Sequence, residues 1–392
     1  MKYGILIISF FLIVVSCQGR TGQNTGGSSP EIATGASQAN EYLPLIKNLK
    51  VGLLVNQTSR IGDRHLIDTL LALGVEVKKI FAPEHGFRGD KEAGAAIAHD
   101  VDAKTGLPVI SLYGQSKKPS PAQMEGIDAV IFDIQDVGAR FYTYISAMHY
   151  MMEACAENNK RFIVLDRPNP NGMYIDGPVL DLSLKSYVGM HPIPILHGMT
   201  VGELAQMING EGWLEGNRRC ELTVIPVKNY RHSMPYSLPV KPSPNLPNDL
   251  SIRLYPSLCL FEGTPISVAR GTTFPFQAIG YPDPRFGEFQ FTPKSIEGMA
   301  LNPPHEGKTC YGVDFRNQEA PGGLTLRHLI EFYNLSGFKD TFFNSFFDKL
   351  AGTATLKERI RQGWTEEAIR EEWQDALAGF KRMRARYLLY ED

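Results

Sequence analysis

From residue 47 onward, short continuous apolar runs alternate with stretches in which apolar positions recur every three to four residues. The first kind predicts strands buried on both faces, the second amphipathic helices. Strands are expected at 51–55, 75–81, 107–113, 129–134 and 161–165, with 222–227 extending or finishing the sheet. Between them, Asp63 is placed to cap a helix whose apolar face is Leu66, Ile67, Leu70, Leu71 and Leu73, closed by Gly74. A short helix begins near Ser120-Pro121, residues 140–158 read as a long helix, and Thr200-Val201-Gly202-Glu203 has the form of a capping box, with Glu203 as a cap rather than a catalyst. This alternation predicts an α/β chain with a Rossmann-like, mostly parallel sheet. The dinucleotide signature GxGxxG is absent after the first strand, so no nucleotide or other cofactor is inferred.

From about Tyr230 prolines crowd the chain and predict irregular but well-packed loops, because aromatic and aliphatic residues are interleaved. Residues 324–392 are expected to be mostly helical. Leu326, Leu329, Ile330 and Tyr333 have helical spacing, as do Phe342, Phe343, Phe346 and Phe347, and both sets read as core. At 392 residues the chain is the right length for two domains. A net charge of −2 gives no electrostatic case for nucleic acid.

The N-terminus has a different texture. An apolar run at 5–15, too short to span a membrane, reads as a signal-peptide core and ends in Val14-Val15-Ser16-Cys17. That tetrapeptide resembles the lipobox of bacterial lipoproteins, although an ordinary signal peptide with a chance cysteine is the alternative. Residues 1–17 are therefore expected to be a lipoprotein signal with Cys17 lipidated. Residues 18–39, nearly devoid of large apolar side chains, are expected to form a flexible tether. The protein would be exported and held at a bacterial membrane. Of the other cysteines, Cys155 reads as a buried thiol, and none has metal-ligand spacing.

Candidate chemistry gathers at the ends of the expected strands, where open α/β sheets bind ligands. These ends carry Asn56-Gln57, Glu84-His85, Tyr113, Asp133/Gln135/Asp136 and Asp166-Arg167-Asn169. Glu84 leads, because a carboxyl beside Pro83 and a buried strand can be desolvated, which raises its pKa toward that of a general acid. Gly86 and Gly89 let the backbone approach a ligand, with His85 and Arg88 as substrate contacts. A metal site built from Glu84, His85, Asp133 and Asp136 matches no known ligand spacing. Asp136 is a catalytic candidate or a helix cap. Arg140 suits a carboxylate or acetamido ligand, and Tyr142 and Tyr144 suit sugar stacking. Later in the chain, Ser243 and Asn245 lie on a rigid proline loop, and Glu262 stands near Arg270 as catalytic partner, substrate-binding acid or ion-pair partner.

The motifs LLVNQTS, FAPEHGFRG, DIQDVGARFYTY, LDRPNP, LHGMTVGELA, KPSPNLP, YPSLCLFEGTPISVARGT and PFQAIGYP, in this order, resemble the exo-β-N-acetylmuramidases of the NamZ type, long catalogued as a domain of unknown function. The resemblance runs from about residue 47 to the C-terminus. It implies a Rossmann-like domain over 40–230 and a smaller α+β domain over 231–392, with the active site in the cleft between them. It implies removal of N-acetylmuramic acid from the non-reducing ends of peptidoglycan fragments, with Glu84 of the PEHG motif as the catalytic glutamate. Glycoside cleavage then needs a second group on the other face of the sugar. Asp133, Asp136 and Glu262 are candidates for it, whether acting directly or orienting the substrate's own acetamide. Arg140, Arg167 or Arg270 would read the lactyl carboxylate. One position departs from the pattern: the resemblance leads one to expect glycine where this chain has Ala269. A non-hydrolytic lipoprotein that binds cell-wall sugars and a metal-dependent ester or phosphate hydrolase are the competing readings.

Overall fold

The computed structural model describes Met1 and residues 31–84, 87, 100–114 and 117–392. Cys17, His85, Gly86, Arg88 and Gly89 lie outside the described residues.

Seven strands form the main sheet: β1 (Lys50–Val55), β2 (Glu76–Ala82), β3 (Asp100–Val101), β4 (Pro108–Ser111), β5 (Ala129–Asp133), β6 (Arg161–Leu165) and β7 (Glu221–Ile225). Their order is β7-β6-β5-β1-β2-β4-β3. All pairings are parallel except β3 against β4 at the edge. Because successive side chains leave a strand on opposite faces, each central strand feeds two cores. Val51, Leu53, Ala129, Ile131 and Ile163 pack on one face with Leu66, Ile67 and Leu70 of helix α1 (Leu66–Ala72). Leu54, Val130, Phe132 and Phe162 pack on the other with Met148, Met151 and Met152 of helix α2 (Tyr144–Glu157). The apolar runs are continuous, rather than alternating, for this reason.

Three local expectations are corrected. His65, not Asp63, caps α1, its ring accepting the Ile67 N–H, and Leu71 and Leu73 are exposed. Helix α2 starts at Tyr144 rather than at 140, because Ala139 bridges Leu196 and the Arg140 N–H donates to the Ile195 carbonyl. The tether does not reach residue 39. The backbone already bridges at Ala33 to Lys228, Gly35 donates to the Asp166 carbonyl, and Ala36 and Tyr42 are fully buried. A Cβ on Gly35 would stand 2.5 Å from the Asp166 nitrogen, so only glycine fits there.

The capping box at Thr200-Glu203 forms as expected at the start of α3 (Val201–Gly210). Beyond it, the proline-rich region is more regular than its composition suggests. Helix α4 (Asp249–Leu258) is capped by Asn248 and contains Pro256. The carbonyl of Ile252, which Pro256 cannot satisfy, accepts instead from the Asn171 side chain at 3.3 Å. Strands β8 (Ala278–Tyr281), β9 (Phe289–Phe291) and β10 (Cys310–Asp314) form a small antiparallel sheet, ordered β8-β10-β9. Helices then dominate, beginning with α5 (Arg327–Ser336). Phe342, Phe343 and Phe347 are core as expected, but Phe346 is exposed. These elements make a second, smaller domain whose apolar residues merge into the α2 face of the main sheet, so that Ile32–Asp392 packs as one unit. Cys155, Cys220, Cys259 and Cys310 are buried free thiols.

Candidate active site

Glu84 lies two residues past the end of β2, where the buried strand gives out. Thr143, just before α2, donates its hydroxyl to Glu84 Oε2 at 3.2 Å. Burial raises the Glu84 pKa above its ordinary value, and Glu262 adds to this. Donation from Thr143 and Tyr113 and the charge of Arg270 oppose the rise without cancelling it. A carboxyl in this state holds its proton closer to neutral pH than a free glutamate does.

Glu84 opens into a cavity of about 160 Å³ whose walls come from both domains. Tyr142 and Tyr144 stand edge to face, centroids 5.0 Å apart, and burial lifts both phenols well above the usual tyrosine range. They are therefore neutral hydrogen-bonding groups at any physiological pH. Tyr255 of α4 and Phe276 supply further aromatic wall. Ser243 and Asn245 arrive on the proline loop, which Gln57 latches to the end of β1 by donating to the carbonyls of Lys241 and Pro242. Asn245 donates to the Met299 carbonyl at 2.9 Å, while its Oδ1 is buried with no partner among the described residues.

The same cavity is lined by an ion pair, with Arg270 Nε donating to Glu262 Oε1 at 2.6 Å. The guanidinium sits 4.9 Å from the Phe276 ring centroid. Burial lowers the Arg270 pKa, but the neighbouring Glu262, Tyr255 and Cys259 outweigh it and the net shift is upward. The backbone here is bent twice. Ala269 and Phe276 both have positive φ, at 60° and 55°. That is uncommon for residues with a Cβ and uncommon again for a bulky one. The missing glycine at 269 thus has a geometric meaning: this chain places alanine in a left-handed turn, buried against Ala278, Phe291 and Cys310.

The other polar strand-end residues do not line the cavity. Asp133 is fully buried, and both of its carboxylate oxygens accept from Arg167, at 2.5 and 2.9 Å. Asp166 accepts from the N–H groups of Arg167 and Gly202 and from the hydroxyls of Thr200 and Tyr390, and burial lifts its pKa to about 6. Asp136 shapes a turn by accepting the Gly138 N–H at 2.7 Å. Gln135 donates to the carbonyls of Asp136 and Pro168. Asn169 bonds the Met199 carbonyl and the Asn171 N–H. Asn56 folds its own turn by accepting from Thr58. Arg140, expected to meet substrate, is fully buried and donates to the carbonyls of Pro178, Ile193, Leu350 and Ala351. These seven, along with Arg167, are not among the residues lining the cavity and make their hydrogen bonds within the fold. Conversely, Thr143, Tyr255 and Phe276 were missed as site residues. Thr143 lay within a quoted motif, but nothing in its sequence neighbourhood marks it as a carboxyl's partner. Among the described residues, no group of three or more His, Cys, Asp or Glu side chains is arranged to hold a metal ion.

Comparison with known proteins agrees with this architecture. The family model for the N-terminal part of exo-β-N-acetylmuramidase NamZ matches residues 51–250, and the model for its C-terminal part matches 253–390. The peptidoglycan β-N-acetylmuramidase NamZ of Bacillus subtilis (strain 168) is 36% identical, with 98% of this chain and 97% of that protein covered. Two crystal structures of DUF1343 family proteins from Bacteroides fragilis superpose closely. One has a TM-score of 0.87 at 47% identity, covering 93% of this chain and 100% of its own. The other has a TM-score of 0.77 at 30% identity, covering 92% and 100%. With both halves of the model matched in order over nearly the whole chain, the protein belongs to the NamZ exo-β-N-acetylmuramidase family of glycoside hydrolases.

Proposed function

We propose that this enzyme removes terminal N-acetylmuramic acid from the non-reducing ends of peptidoglycan fragments, with Glu84 as the general acid and base. The observation that carries the reading is a desolvated Glu84 lining one cavity with the Glu262–Arg270 pair, whose charges it feels. Glu84 in its acid form protonates the glycosidic oxygen as the bond from that oxygen to the anomeric carbon breaks. The leaving sugar departs as an alcohol. The anomeric carbon is meanwhile taken by a nucleophile, either a carboxylate or the substrate's own acetamide oxygen; Glu84, now a carboxylate, then takes a proton from the water whose oxygen bonds to that carbon and displaces the nucleophile. Glu262 is the favoured candidate for the second carboxylate, because it lines the cavity with Glu84, whereas Asp133 is held by Arg167 and Asp136 does not line it. Arg270 gives Glu262 its Nε–H, which leaves its terminal nitrogens for the lactyl carboxylate that sets muramic acid apart from glucosamine. Arg140 and Arg167 are spent internally and are withdrawn from that role.

Purified wild-type protein should release chromophore from a chromogenic β-N-acetylmuramide with or without EDTA. The absence of release would overturn the assignment. Because the Glu84 pKa is raised and the acid form is the active one, the rate should fall as pH rises through that pKa. An alkaline limb that survives unchanged in Glu84→Gln would assign it to another group. We also propose, from the Val-Val-Ser-Cys17 stretch alone, that the enzyme is exported and lipid-anchored. Metabolic labelling with a fatty-acid analogue should mark wild type and leave Cys17→Ala unlabelled.

A further inference from the structure

Helix α4 and the turn after it contribute walls to two cavities. Tyr255 and Glu262 serve the catalytic cavity, while Leu254, Leu258 and Phe261 floor a separate cavity of about 670 Å³. That volume lies within the range of small-ligand sites, which are concave and largely apolar with a few convergent polar groups. Leu329 of α5 completes the floor, and Phe315 and Trp364 stand at its sides.

The charge around this apolar bed is one-sided. Glu319, Glu331, Glu366 and Glu367 line the cavity, against Arg327 and His328. Burial draws the His328 pKa below its ordinary value, although Glu331 lies 2.9 Å from its Nδ1, so the ring adds no full charge at neutral pH. Arg370, behind Glu366, is engaged by both carboxylate oxygens of Asp176. Glu319 has no ion-pair partner among the described residues. An acidic rim over an aromatic and aliphatic floor complements a cation carried on an alkyl stem. Asn334 and Gln318 add side-chain amides that match the donors and acceptors of a peptide bond.

We propose that this cavity binds a peptide bearing a free side-chain amine, with the ammonium at the carboxylates and the alkyl stem against Trp364 and Phe315. The site is independent of the sugar chemistry, and its test needs no sugar. Full-length protein is titrated with the blocked tripeptide Ala-Lys-Ala, followed by tryptophan fluorescence and by calorimetry, at low and high salt. The expected result is saturable binding, weakened about tenfold for the norleucine analogue and for the double variant Glu319→Gln/Glu367→Gln, and weakened by salt. The fluorescence change should vanish in Trp364→Phe, which separates it from Trp213 and Trp373. Absence of saturable heat, equal binding of the norleucine peptide, or tighter binding of a simple polyamine than of the peptide would each overturn the proposal. Both glutamates are exposed, so the double variant should fold normally.

Discussion

Two polar clusters lie at the carboxyl ends of the same sheet, and they do opposite things. Around Asp133, Asp166, Arg167 and Asn169, charge is dense but occupied, while Asp136 has one oxygen bonded to Gly138 N–H and the other buried without a partner among the described residues. Arg167 clamps Asp133, and four donors surround Asp166. Around Glu84, Glu262 and Arg270, charge is sparser but open to a cavity, with Glu84 left desolvated. Buried polar groups are mostly satisfied, so charges already paired with one another, as Asp133 with Arg167, are scaffold. A cluster with capacity to spare, opening on a cavity, is where a substrate can supply the missing partner. The density of charged residues does not separate the two cases; what each one already binds does.

The comparison can be broken most decisively at Glu84. Glu84→Gln should lower kcat on a chromogenic muramide by about 10²–10⁴-fold while leaving thermal stability near wild type, since the isosteric amide keeps an oxygen that can accept from Thr143 and Tyr113. The converse belongs to the scaffold. Arg167→Ala leaves Asp133 charged and buried without its partner, and should cost about 3–5 kcal/mol in denaturant unfolding. A stable Arg167→Ala protein that had lost only activity would move Arg167 into the site.

Asp166 offers a gentler test. Its folded pKa of about 6 is raised above the ordinary 3.8, so the folded chain binds more protons than the unfolded one between these values. Its contribution therefore grows as pH falls through 6 toward 3.8 and is smallest above 6. Between pH 7 and pH 5 it should add on the order of 1 kcal/mol. Unfolding of Asp166→Asn at both pH values should lack that increment; an identical pH dependence would show that other groups set it.

The smallest effect is expected at Ala269. Glycine would relieve a left-handed strain of about 1–2 kcal/mol. It would also lose a buried methyl worth roughly 0.8 kcal/mol and add unfolded-chain entropy. Ala269→Gly should thus change stability by less than about 1 kcal/mol and leave the muramide KM near wild type. A large rise in KM would mean that the strained turn itself positions Arg270.

Hydrophobic patterning by itself determined the sheet. Buried parallel strands require unbroken apolar runs, and those runs lie at β1, β2, β4, β5, β6 and β7 to within a residue or two at most ends. It also marked Glu84, because a strand that ends in proline and a carboxylate has few structural reasons to do so. The antiparallel sheet β8–β10 was hidden, since its short strands sit among prolines and turns and depend on distant pairing to be strands at all. Tertiary structure alone decided which polar residues are free. Arg140 and Arg270 are both arginines within quoted motifs. One is closed off by carbonyls contributed by residues up to 211 positions away, with Gly352 so close that a Cβ there would stand 2.3 Å from its guanidinium. The other is held on Phe276 with its tip at the cavity. Local sequence cannot carry that distinction, because burial and hydrogen-bond satisfaction are set by whichever remote segments the fold brings alongside.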